Sequence, residues 1–123
     1  MAVSDAYVEL LKDQLSGFAP IAVRRMFSGI GLFVDGMMFA IAIDDVLYLK
    51  ADDETRATFE KEGLAPFSYV RSGRTVPLSY WRAPERLLDD ADEMREWAAR
   101  ALSVAKRKAA RKAPSKSRKR RSS

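Results

Sequence analysis

The sequence has 123 residues, the size of one domain with a core of its own. It contains no Cys and no His, which excludes disulfides, Cys/His zinc sites, Ser-His-Asp triads and Cys-His catalysis. The formal net charge of +5 conceals a segregation: residues 104–123 contain ten Lys and Arg and no acid, whereas the other 103 residues contain twelve Lys and Arg against seventeen Asp and Glu, a net charge of −5. We therefore expect an acidic folded domain, residues 1–105, followed by a basic, disordered tail, residues 106–123.

The N-terminal sequence MAVSDAYVELLKD predicts no signal peptide, because it lacks a basic region and acidic residues interrupt its apolar ones. No stretch of the chain approaches the roughly 20 apolar residues that a membrane span needs. The expected location is therefore cytoplasmic.

The first predicted element is a helix that begins after the capping residue Ser4. Gly17 and Pro20, which break helices, end it. Its apolar residues fall at helical spacing and form one stripe, which consists of Tyr7, Leu10, Leu11 and Leu15.

Three strands are predicted next, at 22–27, at 32–43 with an internal hairpin turn, and at 46–50. Asp35 and Gly36 give the hairpin signal, because both residue types favour positive φ. The glycine-rich stretch 28–31 follows the first of these segments. The sequence leaves open whether that segment pairs as a separate strand or bends around the glycines.

Asp52 is predicted to cap a second helix that runs through Glu62. Gly63 suits the left-handed position after the helix, and Leu64 is placed to fold back on Phe59 in a Schellman ending.

A second hairpin, with strands at 67–71 and 75–81, follows the second helix. Pro77 cannot donate a ladder hydrogen bond, so its strand is expected to lie at an edge or to contain a bulge. Pro84 then begins a short helical turn.

The last predicted helix has the clearest apolar periodicity in the chain, and Asp90 or Asp92 is expected to open it. We expect it to end near Ala105, where the Lys/Arg run begins, with Pro114 blocking further helix. Its apolar stripe consists of Met94, Trp97, Ala98, Ala101, Leu102 and Ala105. The whole order, α-β(3)-α-β(2)-α, predicts an α+β fold: a two-layer sandwich with helices on one face of an antiparallel sheet.

Four strings together resemble the N-terminal domain of the TfoX/Sxy family: RRMFSGIGLFVDGMMFAIAIDDVLYLKAD at 24–52, GLAPFSYV at 63–70, LSYWRAPERLLDD at 78–90 and REWAARAL at 95–102. The resemblance implies a fold like that of secretion chaperones. It also implies kinship with regulators of natural competence, which act at promoters as transcription co-regulators beside a separate DNA-binding activator. The resemblance implies that those regulators carry a second, C-terminal domain, in place of which we expect a basic tail here.

Two basic or glycine-rich features invite a ligand-binding interpretation. The segment 26–31 (MFSGIG) is suited to cradling a phosphate, but it matches neither phosphate-loop nor dinucleotide patterns, so we interpret it as a bent strand or bulge. Arg24 and Arg25 point to opposite faces of a strand, so at most one points inward, toward a carboxylate or ligand. We expect both to be exposed.

The acidic pairs 44–45, 52–53 and 89–90 suggest metal or paired-carboxylate chemistry, but each lies at an expected turn or helix start, where Asp caps backbone N–H groups. Among the aromatic residues that could stack on bases, Trp97 is expected in the core and Tyr80 alternates with core positions. Trp81 is ambiguous, with packing under the last helix favoured. We therefore predict no catalytic residue, no metal site and no cofactor.

The strand Met37–Ile43 is apolar on both faces, which a half-exposed antiparallel strand would not be. Helices are expected to cover one face. The other face is covered either within the chain, by Phe/Tyr-rich neighbours, or by a second subunit, and on the second alternative we predict a homodimer.

The tail has no aromatic residue, so it offers charge without base-reading groups, and we expect non-specific nucleic-acid binding by counterion release. A solubilising extension with no partner is the alternative. The residues expected to contact nucleic acid are Lys106, Arg107, Lys108, Arg111, Lys112, Lys116, Arg118, Lys119, Arg120 and Arg121.

These features predict a non-enzymatic regulatory or adaptor domain of the TfoX type, whose folded part contacts a protein partner and whose tail adds DNA affinity. The alternative from a different functional class is a chaperone-like dimer that holds a protein or peptide. Neither prediction names the partner.

Overall fold

The computed structural model describes residues 3–26 and 29–122, with side chains described except at 69–71, 74–78 and 111–122. In chain order the elements are α1 (Asp5–Gln14), β1 (Ala22–Met26), β2 (Gly29–Val34), β3 (Met37–Ile43), β4 (Val46–Lys50), α2 (Arg56–Lys61), β5 (Pro66–Arg71), β6 (Arg74–Arg82), a 3-10 helix (Glu85–Asp89) and α3 (Ala91–Ser122). None of the described helices combines the length and apolarity that a membrane span requires.

The strands form one six-stranded antiparallel sheet in the order β1-β2-β3-β4-β6-β5, and the helices complete an α+β fold, as predicted. Four strands, not three, precede α2. The segment at Ala22–Met26 pairs as a strand of its own, and the Asp35-Gly36 turn separates β2 from β3. Asp35 and Gly36 have φ of 52° and 79°, the left-handed values that a two-residue hairpin turn requires.

The core lies between one face of the sheet and the helices. The predicted stripe of α3 is buried along its whole length, from Met94 at 0 % exposure to Ala105 at 6 %. Leu11 and Leu15 of the first stripe are also buried, whereas Leu10 is 38 % exposed. Placing Leu10 in that stripe was therefore wrong: it lies one position before Leu11, about 100° around the helix from the buried line.

A bulge in β3 lets two consecutive residues point into the core. Leu32 lies opposite Ala40 and Phe33 lies opposite Met38, so Phe39 is the extra residue. Phe39 and Ala40 are both fully buried in the core cluster. This irregularity places the largest side chain of β3 beneath the helices.

The helix ends follow the predicted capping chemistry. The Ser4 hydroxyl accepts a hydrogen bond from the Tyr7 N–H, and the Asp90 carboxylate accepts one from the Glu93 N–H at the start of α3. Gly63 has φ of 72° at the end of α2, as a Schellman ending requires.

Asp52 begins a turn before α2 rather than the helix itself. The Asp52 carboxylate accepts from the Thr55 N–H, while the Thr55 hydroxyl accepts from the Asp52 N–H. The cap position falls at Thr55 and the helix starts at Arg56, three residues later than a cap at Asp52 predicts, because this reciprocal pair closes a turn of its own.

Helix α3 continues past Ala105 and through Pro114 to Ser122, contrary to the predicted end. Residues 106–113, KRKAARKA, are strong helix formers, which explains the continuation even though Pro114 has no N–H to donate. Ala105 is the last buried residue among the described side chains of α3. The division into a folded domain ending at Ala105 and a separate tail stays a prediction.

Replacing Trp97 by Ala should destabilise the protein by about 3–5 kcal/mol, because the indole is 5 % exposed and packs edge-on against Phe59 at a centroid distance of 5.1 Å. Chemical denaturation measures the loss. Leu10→Ala, on exposed α1 surface, is the matched control and should change stability by no more than about 0.5 kcal/mol. Equal stability of the two variants would contradict the placement of α3.

Candidate functional site

The face of the sheet that points away from the helices, called the open face here, is identified from cross-strand partners. Gly31 lies opposite Ile41, Ile41 opposite Tyr48, and Tyr48 opposite Arg82, so these residues share a face. None of them belongs to the core cluster beneath the helices. The larger side chains placed on the open face are Arg24, Met26, Phe33, Met38, Ile41, Ile43, Val46, Tyr48, Lys50, Tyr80 and Arg82.

Aromatic rings dominate the half of the open face nearest β4 and β6. Tyr48 packs edge-on against Phe67 of β5, with centroids 5.1 Å apart. The Lys50 ammonium lies 4.6 Å from the centre of the Tyr80 ring. The Tyr80 hydroxyl donates to the Met38 carbonyl oxygen at 3.4 Å, and burial raises the pKa of Tyr80 to about 12. Neighbouring side chains of the chain itself thus bury Ile41 and Tyr80 to 7 % and 6 % exposure.

Charge is unevenly distributed between the sheet and the rest of the folded part. The six strands contain six Lys and Arg and no Asp or Glu, so every acid of the chain lies in a helix, turn or loop. Sequence reasoning missed this because it summed charge over the whole domain. Counting charges strand by strand would have revealed it.

The glycines of the phosphate-cradle candidate allow close packing within the sheet. A Cβ at Gly29 would lie 2.1 Å from the Ala42 carbonyl oxygen, and one at Gly31 would lie 2.7 Å from the Met38 sulfur. These approaches support the interpretation of the segment as a structural one. Its residues 27 and 28 lie outside the described part of the chain.

Arg24 and Arg25 point to opposite faces of β1, as predicted, and both are exposed. Arg25 donates to Asp5 of α1 at 3.2 Å, on the helix side. The Arg24 guanidinium lies 5.3 Å from the centre of the Phe33 ring on the open face. The expected exposure of both arginines is confirmed, and Arg25 pairs at the surface with a carboxylate of its own chain.

The acidic pairs have structural roles where contacts are described. Asp45 accepts from the Ser4 N–H and hydroxyl at 2.9 and 3.1 Å, Asp52 closes its turn, and Asp90 caps α3. Among the described residues, no group of three acids is placed to hold a metal ion.

Trp97 of α3 is buried in the core as predicted, and Trp81 is partly buried and packs against the core cluster. Phe59 contacts both rings, with centroids 5.1 Å from Trp97 and 6.0 Å from Trp81. Arg86 of the 3-10 helix links the end of α2 to α3 by donating hydrogen bonds to Glu62 and Glu93 at 2.6–2.9 Å. These hydrogen bonds lower the pKa of both carboxyls.

A shallow cleft opens where α1, the β3–β4 turn and the 3-10 helix meet. Tyr7, Asp45, Arg82 and Glu85 supply its polar lining. Burial and the nearby Asp45 carboxylate raise the pKa of Tyr7 to about 12, so the phenol stays protonated at neutral pH. Asp45 already accepts two hydrogen bonds from Ser4, which lies outside the cleft lining, whereas Arg82 and Glu85 form a long, largely exposed ion pair at 3.8 Å.

Of the ten predicted nucleic-acid-binding residues, only Lys106, Arg107 and Lys108 have described side chains. Lys106 is exposed, whereas Arg107 donates to the Asp52 carboxylate at 2.6 Å. Arg107 therefore ties α3 to the turn before α2. The side chains of the other seven residues lie outside the described part.

The Asp52–Arg107 ion pair should make stability depend on pH. Burial alone would raise the pKa of Asp52, but hydrogen bonds from Arg107 and Thr55 outweigh it and lower the pKa from 3.8 to about 2. A depressed pKa stabilises the fold above the unfolded value, and that contribution disappears as the pH falls from about 4 to about 2. The melting temperatures of the wild-type protein and Asp52→Asn should therefore differ most above pH 4 and converge near pH 2.

Arg107→Gln is the partner variant for this measurement, and Lys106→Gln, which removes an exposed neighbouring cation, is its control. Arg107→Gln should lower the melting temperature by a few degrees at pH 7, and Lys106→Gln should leave it unchanged. A constant difference between wild type and Asp52→Asn from pH 7 to pH 2 would contradict the ion pair.

Comparison with known proteins identifies a family whose domain spans the sheet described above. Residues 13–105 match the TfoX N-terminal domain family, which covers α1 from its last turn through the buried part of α3. The chain belongs to this family. This TfoX N-terminal domain includes every strand of the sheet and the residues of the open face.

Two curated relatives give the extent of the similarity. Protein Sxy of Escherichia coli (strain K12) is 32 % identical over 84 residues, which are 67 % of this chain and 40 % of the relative. DNA transformation protein TfoX1 of Aliivibrio fischeri (strain ATCC 700601 / ES114) is 34 % identical over 62 residues, 50 % of this chain and 30 % of the relative. The chain thus spans less than half the length of the relatives it matches.

Proposed function

We propose that this protein is a non-enzymatic regulator in the control of DNA transformation, acting as a transcription co-regulator through a protein partner. The match of residues 13–105 to the TfoX N-terminal domain carries the proposal, and one relative is named a DNA transformation protein. The absence of Cys and His from the sequence removes the commonest nucleophile and general base, which favours a binding role over a catalytic one.

The basic C-terminal segment supplies the second part of the proposed function, non-specific contact with DNA. Residues 111–121 contain seven Lys and Arg and no acid, and they follow the last buried residue among the described side chains of α3. Arg107 contributes little to this binding because Asp52 already neutralises it. Duplex DNA attracts such a segment through counterion release, regardless of base sequence.

A chaperone-like peptide-binding module is the second candidate, and the largely apolar open face favours it. The two candidates differ in what a cell loses without the protein. A co-regulator changes transcript levels at particular promoters, whereas a chaperone changes the amount of a client protein while its transcript stays constant.

The direct test of the proposed function compares transcripts in the source organism with the gene deleted, and with the deletion complemented by the full chain. We expect a restricted set of promoters, including those of DNA-uptake genes, to respond and to be restored by complementation. Unchanged transcripts would contradict the proposed function, and loss of one protein at constant transcript would establish the chaperone candidate.

Replacing the seven Lys and Arg of residues 111–121 by Gln in the full chain should weaken duplex binding strongly, because the change removes seven of the ten cations of residues 104–123. For the wild-type chain, the logarithm of affinity should fall with the logarithm of salt concentration with a slope of about −5 if six cations neutralise phosphates. Fluorescence anisotropy with two unrelated duplexes over a salt series measures both effects. Sequence-selective binding that survives the substitutions would show that the folded part reads DNA.

A further inference from the structure

The open face has the composition of a protein interface. Protein interfaces are enriched in aromatic residues, Met and Arg and depleted in Asp and Glu. The open face carries Met26, Met38, Phe33, Tyr48 and Phe67, and none of the strand residues placed on it is acidic. The core cluster beneath the helices contains none of these five side chains. The described helices approach the open face at one end, where Tyr7 of α1 and Glu85 line a cleft with Val46 and Arg82.

Cations stand at both ends of this apolar surface. Arg24 lies on β1, the edge strand, and Arg82 lies on β6, four strands away, or roughly 19 Å across the sheet. Arg82 has an acidic neighbour in Glu85, but at 3.8 Å and with both side chains largely exposed this pair contributes little. An incoming group with carboxylates at both ends would therefore complement the surface.

We propose that the open face docks an acidic, amphipathic segment of a partner protein, with apolar side chains packing on the partly exposed Met38, Ile43 and Tyr48 and carboxylates pairing with Arg24 and Arg82. The proposal rests on the proposed function, since this partner is the protein through which the regulator acts. Charge complementarity selects the partner, and the apolar centre supplies the buried area.

A second copy of the chain fits the open face less well. A twofold interface brings the same surface of two copies together, so Arg24 and Arg82 of one copy would meet a face whose described strand residues include no carboxylate.

Single-stranded nucleic acid also fits the open face less well than an acidic segment of a partner protein. Phe33, Tyr48, Phe67 and Tyr80 each already contact a cation or another ring, whereas base stacking needs a free ring face.

The test uses a fluorescein-labelled 20-residue helical peptide with Leu and Phe on one side and Glu on the other. Affinity is measured by anisotropy on the full-length chain with residues 111–121 neutralised, so that tail charge does not contribute. Arg24→Glu/Arg82→Glu is compared with Lys12→Glu/Lys61→Glu, which makes the same change in net charge on the helix layer. We expect the first pair to weaken binding at least tenfold and the second less than twofold.

A second measurement locates the site without substitutions. Amide shifts of the isotope-labelled chain on addition of the peptide should concentrate in β2, β3 and β4. If Arg24→Glu/Arg82→Glu unfolds, Arg24→Gln/Arg82→Gln replaces it, with the same direction of effect.

Three results would overturn the proposal: equal weakening by both pairs of substitutions, equal affinity for a peptide with Lys in place of Glu, or shifts confined to the helices. A doubled molecular mass that Arg24→Glu/Arg82→Glu abolishes would assign the face to a second copy instead. Competition by (dT)20 at the same residues would assign it to nucleic acid. If the peptide fails to bind while transcripts still respond to the protein, the proposed function stands and this docking surface is wrong.

Discussion

The packing of α3 against one face of the sheet is the constraint on which the rest of this structure depends. Trp97 lies at its centre, between Phe59 and the Arg86 side chain, whose guanidinium is 6.0 Å from the indole ring. Because α1, α2 and the 3-10 helix pack on the same side, the hydrophobic effect stabilises a single layer of helices over the sheet. The open face is the direct consequence of that one-sided arrangement.

The distribution of charge follows the same division. Acids cap helices and close turns, where they accept backbone N–H groups, and the strands carry only cations. The chain thus presents an acidic helix layer, a cationic and apolar sheet face, and a basic C-terminal segment. The net charge of the folded part does not show this division, because the positive charge of the strands and the negative charge of the helices and turns largely cancel in the sum.

Local signals in the sequence predicted much of the fold. The Asp35-Gly36 turn, the Ser4 and Asp90 caps, the Gly63 ending and the α3 stripe each depend on a few neighbouring residues, and all are present. The family resemblance was confirmed as well.

Features that depend on distant partners escaped sequence reasoning. The bulge at Phe39 depends on the pairing of β3 with β2, and the pairing of β6 with β4 joins strands far apart in the chain. The Arg107–Asp52 ion pair joins residues 55 positions apart. The open face could be anticipated only as the doubly apolar strand Met37–Ile43. The strand register then places Arg24 and Arg82 on the same side of the sheet, which the sequence did not indicate.

The central claim, that the helices cover one face of the sheet and leave the other accessible in the free protein, is tested most directly by methionine oxidation. Met26 and Met38 lie on the open face and are partly exposed, whereas Met94 is fully buried under α3. Brief peroxide treatment of the native full chain, followed by tandem mass spectrometry, gives the rate at each site. The account predicts that Met26 and Met38 oxidise on the order of tenfold faster than Met94. Equal protection of all three would show that the open face is covered, and would contradict the account.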